Sequence, residues 1–128
     1  MAVLNFIGHV RSSLKDLNEC PLQESEGAPQ AALIIKKGYE QAMEGLTAGS
    51  RIILLTWLDK GARSVLSTKP RNNPNARTLG VFATRSPDRP NPIGLHETTI
   101  LDIKNETITV SNLEVLDRTP LIDIKPVI

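Results

Sequence analysis

Hydrophobic and polar positions alternate along much of this chain, and the period of the alternation predicts strands more often than helices. Residues 3–10 hold Phe6, His9 and the β-branched Val3, Ile7 and Val10 in a loosely alternating run and read as a first strand. Residues 11–29 are polar and broken by Pro21, Gly27 and Pro29, which makes them a long loop. A short apolar run at 31–35 predicts a second strand. Residues 38–46 (GYEQAMEGL) space Tyr39, Ala42, Met43 and Leu46 as one face of a short helix, which Gly49 ends. Residues 51–58 (RIILLTWL) are continuously apolar and predict a strand buried on both faces. The basic stretch 61–75 is irregular and ends in the turn-rich RNNPN, and residues 78–83 form another strand. Residues 93–104 and 107–115 are β-rich and meet at Asn105-Glu106, a hairpin signal; residues 121–127 (LIDIKPV) alternate again.

About seven strands and one short helix predict a mainly or wholly β fold, a sandwich or barrel with a helical insert. A chain of 128 residues forms one domain, 1–128, and buries enough surface to need no disulfide or structural metal. Cys20 is the single cysteine, so a disulfide framework and a cysteine-rich zinc site are excluded. No apolar run reaches the length of a membrane span, and residues 1–10 lack the pattern of a signal peptide, so a cytoplasmic location is expected.

The net charge of +1 hides an asymmetry. Between Lys60 and Pro90 lie seven basic residues (Lys60, Arg63, Lys69, Arg71, Arg77, Arg85, Arg89) against Asp88 alone, so this segment carries +6 and the remainder −5. Such a local field suits an anionic partner, nucleic acid or a phosphorylated small molecule, although a merely solvated basic loop has the same composition. Nucleotide sites of the common kinds are missing: there is no GxGxxG after a strand and no GxxxxGK[ST]. His9 and His96 have no carboxylate at ligand spacing, which makes metal catalysis improbable and leaves both as ordinary surface or core histidines.

One segment stands apart. Residues 81–95 read VFATRSPDRPNPIGL; Pro87, Pro90 and Pro92 fix three φ angles and restrict the residues before them. Between the prolines stand Arg85, Ser86, Asp88, Arg89 and Asn91, diverse polar groups on a frame with little entropy left to lose. A stiff connector, or a Pro-x-x-P ligand for an adaptor domain, fits the same composition equally well.

VFATRSPDRPNPIGL, together with LEVLDRTPLIDIKP at 113–126, closely resembles the two signature segments of the TsaA-like family of S-adenosylmethionine-dependent tRNA methyltransferases, also called methyltransferase O. FIGHVRS at 6–12 and EGLTAGSRIILLTWLDK at 44–60 resemble that family's opening and central strands, so the resemblance spans nearly the whole chain. It implies a small non-Rossmann β-barrel that forms a homodimer and holds S-adenosylmethionine near the subunit boundary. The implied reaction methylates the exocyclic amine of threonylcarbamoyladenosine beside the tRNA anticodon. Arg85 aligns with the signature arginine of the cofactor contacts and Leu95 with the apolar residue after its glycine. Pro21, Leu22 and Gln23 resemble the Pro-Arg-Gln stretch in two residues of three, and Leu116 and Asp117 fall on the Leu/Val-Asp pair. Asp59 and Lys60, also among the implied cofactor contacts, stand where longer members have His-Gln. Arg118, counted with Leu116 and Asp117 among the cofactor contacts, replaces the glycine of Asp-Gly-Thr-Pro, so if the family's glycine has positive φ an arginine is strained there or the loop differs. The chain stops at Ile128, short of the C-terminal extension of longer members.

On this resemblance Arg85 pairs with the cofactor's carboxylate, and Asp117 takes its ribose hydroxyls or amino group. Asp88, preferred to Asp123 because it sits in the stiff loop, accepts the proton that leaves the acceptor nitrogen. Arg63, Lys69, Arg71 and Arg77 neutralise tRNA phosphates, with Arg89 and Asn91 also facing the substrate. With four aromatics (Phe6, Tyr39, Trp57, Phe82), recognition leans on backbone and modified base and not on extensive stacking. A methyltransferase for another acceptor and a non-enzymatic RNA- or anion-binding barrel remain the alternatives.

Overall fold

The computed structural model describes residues 2–15, 29–69 and 75–128. Cys20, Pro21, Leu22, Gln23 and Arg71 therefore lie outside the described residues. The fold is mainly β, with strands β1 (Gly8–Arg11), β2 (Ala31–Ile35), β3 (Arg51–Trp57), β4 (Ser67–Thr68), β5 (Leu79–Gly80), β6 (Ile93–Lys104), β7 (Thr107–Val110) and β8 (Pro120–Pro126). Six of them pair antiparallel in the order β1-β2-β7-β6-β3-β8, and β8 pairs back onto β1, so the sheet closes as a barrel. β4 and β5 form a separate two-stranded sheet.

The alternation read from the sequence becomes the inside and outside of this ring. Val10, Leu33, Ile52, Leu54, Ile100, Ile108, Val110 and Leu121 point inward and are buried, joined by Leu113 and Val115 from the segment before β8. Twelve-residue β6 is long enough to serve two partners. Its first half pairs with β3 (Trp57↔Ile93 to Arg51↔Thr99) and its second with β7, after a bulge between Ile100 and Asp102. Asn105, at φ 55°, turns the expected hairpin into β7.

Several expectations need correction. The first strand begins at Gly8 and not at Val3, because pairing starts where Gly8 meets both Ile35 and Leu121; Val3, Leu4 and Phe6 stay exposed. The expected helix at 38–46 is a single 3-10 turn, Glu40–Met43, bracketed by Gly38 and Gly45 at φ 104° and 99°. Its spacing still marked the inward side chains, since Tyr39, Met43 and Leu46 pack on the core. β3 is not buried on both faces. Ile52, Leu54 and Thr56 are buried and Ile53, Leu55 and Trp57 only half so, because a closed ring has one packed interior. The run at 107–115 ends as a strand at Val110, after which Leu113 N–H bonds to Pro29 O and the chain crosses the end of the barrel. The strand at 78–83 is β5 followed by a 3-10 turn, Val81–Ala83. β4 was not expected at all, since two residues carry no periodicity.

Register fixes what meets at one end. His9 pairs with Pro120, Thr56 with Leu121 and Trp57 with Ile93. The C-terminal ends of β1 and β3 and the N-terminal ends of β6 and β8 therefore lie together. The proline loop before β6, the turn after β3, the segment after β1 and Asp117-Arg118 before β8 all emerge there.

Candidate functional site

The proline loop is bonded within itself. Thr84 Oγ1 donates to Val81 O (2.9 Å) and accepts from Ser86 N–H (3.2 Å), and Ser86 Oγ accepts from Asp88 N–H (3.1 Å). Arg89 folds back, its Nη1 donating to Thr84 O (3.0 Å) and Ser86 O (3.1 Å). Prolines remove backbone freedom and this chain of hydroxyl bonds removes most of the rest.

A second loop, the turn after β3, holds the first. Asp88 Oδ1 accepts Ala62 N–H (2.8 Å), and Leu58 N–H donates to Pro92 O (2.7 Å). Arg63 Nε donates to Pro90 O (2.8 Å) and its Nη2 to Asn91 Oδ1 (3.2 Å), while its guanidinium carbon sits 5.3 Å from the centre of the Trp57 ring. Gly61 packs so closely on Pro87 O that a Cβ would overlap it. Beneath the loops, Thr56 Oγ1 and His96 Nε2 lie 3.1 Å apart inside the barrel, and a Cβ at Gly94 would press on both. His96 is thus a buried core histidine, whereas His9 is exposed on β1.

The expected site residues divide accordingly. Arg85 is exposed, and its guanidinium has no partner among the described residues. Leu95 faces outward opposite Leu55 and is 46% exposed. Asp59 and Lys60 are exposed at the tip of the turn after β3. Arg63, Asp88, Arg89 and Asn91 are engaged in holding the two loops, Asp88 among the described residues through one oxygen only. Lys69 and Arg77 are exposed on the connection between β4 and β5, apart from the barrel sheet.

Asp117 anchors the other side of this end. Its Oδ1 accepts Ser12 N–H (2.9 Å), its Oδ2 accepts Lys15 Nζ (2.8 Å), and its own N–H donates to Leu14 O (2.7 Å). The Lys15 bond above all, then the Ser12 N–H, holds its carboxyl below the usual carboxylate range. Leu116 beside it is half-buried. Arg118 has φ 71°, the left-handed region anticipated for a glycine. Ser12, Lys15 and Trp57 carried no sequence signal for these roles; only the folded ring places them. Among the described residues no group of acidic, histidine or cysteine side chains is arranged to hold a metal ion.

The chain is similar to several known proteins. It is 36% identical over 125 residues to a protein named probable S-adenosyl-L-methionine-binding protein VirR from Rhizobium radiobacter, covering 98% of this chain and 70% of that one. A probable S-adenosyl-L-methionine-binding protein from Methanothermobacter thermautotrophicus is 39% identical, covering 94% and 85%. A crystal structure of TrmO from Pseudomonas aeruginosa superimposes with a TM-score of 0.79 at 30% identity, over all of this chain and 55% of the other. The present chain thus spans about half the length of that solved protein. Residues 9–128 match the tRNA-methyltransferase O N-terminal domain, and the chain belongs to that family.

Proposed function

We propose that this chain is an S-adenosylmethionine-dependent methyltransferase that acts on tRNA, methylating the exocyclic amine of threonylcarbamoyladenosine, and that it works as a cytoplasmic homodimer. One observation carries the reading: the stiffened loop presents Arg85, without a partner among the described residues, at the same end of the barrel as Asp117 and Arg118. The residues suit the cofactor chemically, with an exposed guanidinium for its carboxylate and a carboxylate, Asp117, whose oxygens keep further acceptor capacity for hydroxyls. The names of the relatives support the same cofactor.

S-adenosylmethionine supplies a methyl group already activated by its sulfonium, so the protein's task is alignment. Arg85 binds the carboxylate end, Asp117 and Leu116 the nucleoside side, and Leu95 offers apolar surface. Pro21, Leu22, Gln23, Asp59 and Lys60 complete the cofactor's surroundings. The acceptor nitrogen loses a proton as it gains the methyl group. Asp88 keeps Oδ2 for that proton while Oδ1 stays on Ala62 N–H. Lys69, Arg71 and Arg77 contact tRNA phosphates.

Calorimetry tests the cofactor site. Arg85→Ala weakens S-adenosylmethionine binding by about 2 kcal/mol, roughly thirtyfold, the loss of a charge-assisted pair; unchanged affinity refutes the assignment. Asp88→Asn separates base from tether, because an amide oxygen still accepts the Ala62 N–H. The reading requires kcat to fall while Tm holds. Labelled methyl transfer to tRNA with and without the threonylcarbamoyl group tests the acceptor, and light scattering near 14 kDa at all concentrations refutes the dimer.

A further inference from the structure

Three of the four aromatic rings are at least partly covered: Tyr39 packs on the core, Trp57 lies under the Arg63 guanidinium and Phe6 is 38% exposed. Phe82 is 85% exposed, and among the described residues its ring meets no other ring and no cation. Leaving an aromatic ring in water forfeits the burial that usually repays its presence. The backbone beneath it is nonetheless braced. Val81 is buried, its N–H donates to Leu66 O (3.0 Å), and its carbonyl oxygen accepts both Thr84 N–H (3.0 Å) and Thr84 Oγ1 (2.9 Å). The ring is presented on a fixed turn and is not left over from a loose one.

Residues 60–87, the stretch that carries this turn, hold Lys60, Arg63, Lys69, Arg71, Arg77 and Arg85 and no acidic residue. Arg77 is exposed two residues before β5, and Arg85 is exposed three residues beyond the ring. Leu66, 70% exposed, flanks the turn through its bond to Val81. Three kinds of occupant compete for an apolar platform bordered by cations. A second copy of this chain docked across a two-fold would set Arg77 and Arg85 against their own equivalents, and like charges oppose that. A small ligand is normally enclosed over most of its surface, which a ring standing this far into solvent does not do. An unpaired RNA base satisfies both features, because it lays a π face on the ring and brings its phosphates to the cations.

We propose that Phe82 is a stacking platform for one unpaired base of the RNA substrate, with Arg77 beside it on the phosphates. The assignment rests on the RNA part of the function proposed above, and not on the cofactor or the acceptor group. It adds one stacked base to a recognition that the low aromatic content otherwise leaves to backbone contacts.

The test uses the full chain with Phe82→Leu, which keeps an apolar side chain but removes the π face, and Phe82→Trp, which keeps it. Because the ring is exposed, both variants should hold Tm. The probes are an RNA stem-loop with an unpaired loop and a blunt RNA duplex of the same length. Phe82→Leu is expected to bind the stem-loop about tenfold more weakly. Its salt dependence stays unchanged, since no charge is lost, and it binds the duplex like the wild type. Phe82→Trp retains stem-loop binding, and its added indole is quenched by the stem-loop and not by the duplex; the wild type, with Trp57 as its single tryptophan, is the control. A Phe82→Leu protein that binds the stem-loop like the wild type overturns the proposal. So does one that keeps RNA binding but falls from dimer to monomer, which gives the surface to a second copy, or that loses affinity for S-adenosylmethionine alone, which gives it to the cofactor. A wild type that binds the stem-loop through Phe82 yet transfers no methyl group to tRNA supports the platform and refutes the proposed function. One that methylates tRNA with a KM that Phe82→Leu leaves unchanged refutes the platform and not the function.

Discussion

Arg63 stands among the basic residues that the charge pattern assigns to tRNA phosphates, yet the structure binds its guanidinium to the proline loop. Arg63→Ala removes the bonds to Pro90 O and Asn91 Oδ1 and the contact with the Trp57 ring. The side chain is exposed, so each charged hydrogen bond is discounted by solvent to about 0.5–1 kcal/mol, and the ring contact contributes about 0.5–1 kcal/mol. After the side-chain entropy regained, the net loss is about 1–2 kcal/mol, or ~3–10 °C in Tm at this chain length. Because the loop carries Arg85, affinity for the cofactor should fall with it, while the salt dependence of tRNA binding should not change. Arg63→Lys sharpens the comparison. Lysine keeps the charge but lacks the fork that spans Pro90 O and Asn91 Oδ1, so it should weaken cofactor binding nearly as much as alanine. Thermal unfolding, cofactor calorimetry and tRNA binding across a salt series decide the matter. If Arg63→Ala leaves Tm and cofactor affinity intact but lowers the salt slope by ~0.7–0.9, Arg63 is a phosphate contact and the clamp reasoning is wrong.

Gly94→Ala should cost about 1–3 kcal/mol, because its Cβ presses on Thr56 Oγ1 and lies 2.7 Å from His96 Nε2 in the packed interior; an unchanged Tm would mean that pair has slack. Asp117 has a folded pKa below its unfolded 3.8, so its contribution is present above that value and disappears as pH falls through the folded one. Asp117→Asn should therefore be less stable than wild type by a constant margin between about pH 5 and 8, the two converging in stronger acid; a margin that persists in acid would place the effect in packing and not in charge. Replacing Lys69 and Arg77 by alanine should lower the salt slope of tRNA binding by ~0.7–0.9 each and leave cofactor affinity alone, as calorimetry and filter binding would show.

The hydrophobic pattern by itself determined the class of this fold and most of its strands. β2 and β6 fall at the expected residues, and β3 and β8 within a residue or so. The stiffness of the 81–95 loop was equally legible, since proline acts through its own covalent ring. Pairing decided the rest. Where β1 begins depends on where Gly8 meets two other strands, and whether residues 38–46 form a helix depends on two glycines at positive φ and too few buried contacts. The site divides in the same way. Residue type announced Arg85 and the basic segment, but no local pattern says which cation is free. Arg63 and Arg85 have the same chemistry, and only the approach of the turn after β3 to the proline loop commits one to Pro90 and leaves the other open. Asp117 became an anchor for the same reason: Ser12 and Lys15 are more than a hundred residues away in sequence and arrive beside it only when β1 and β8 close the ring.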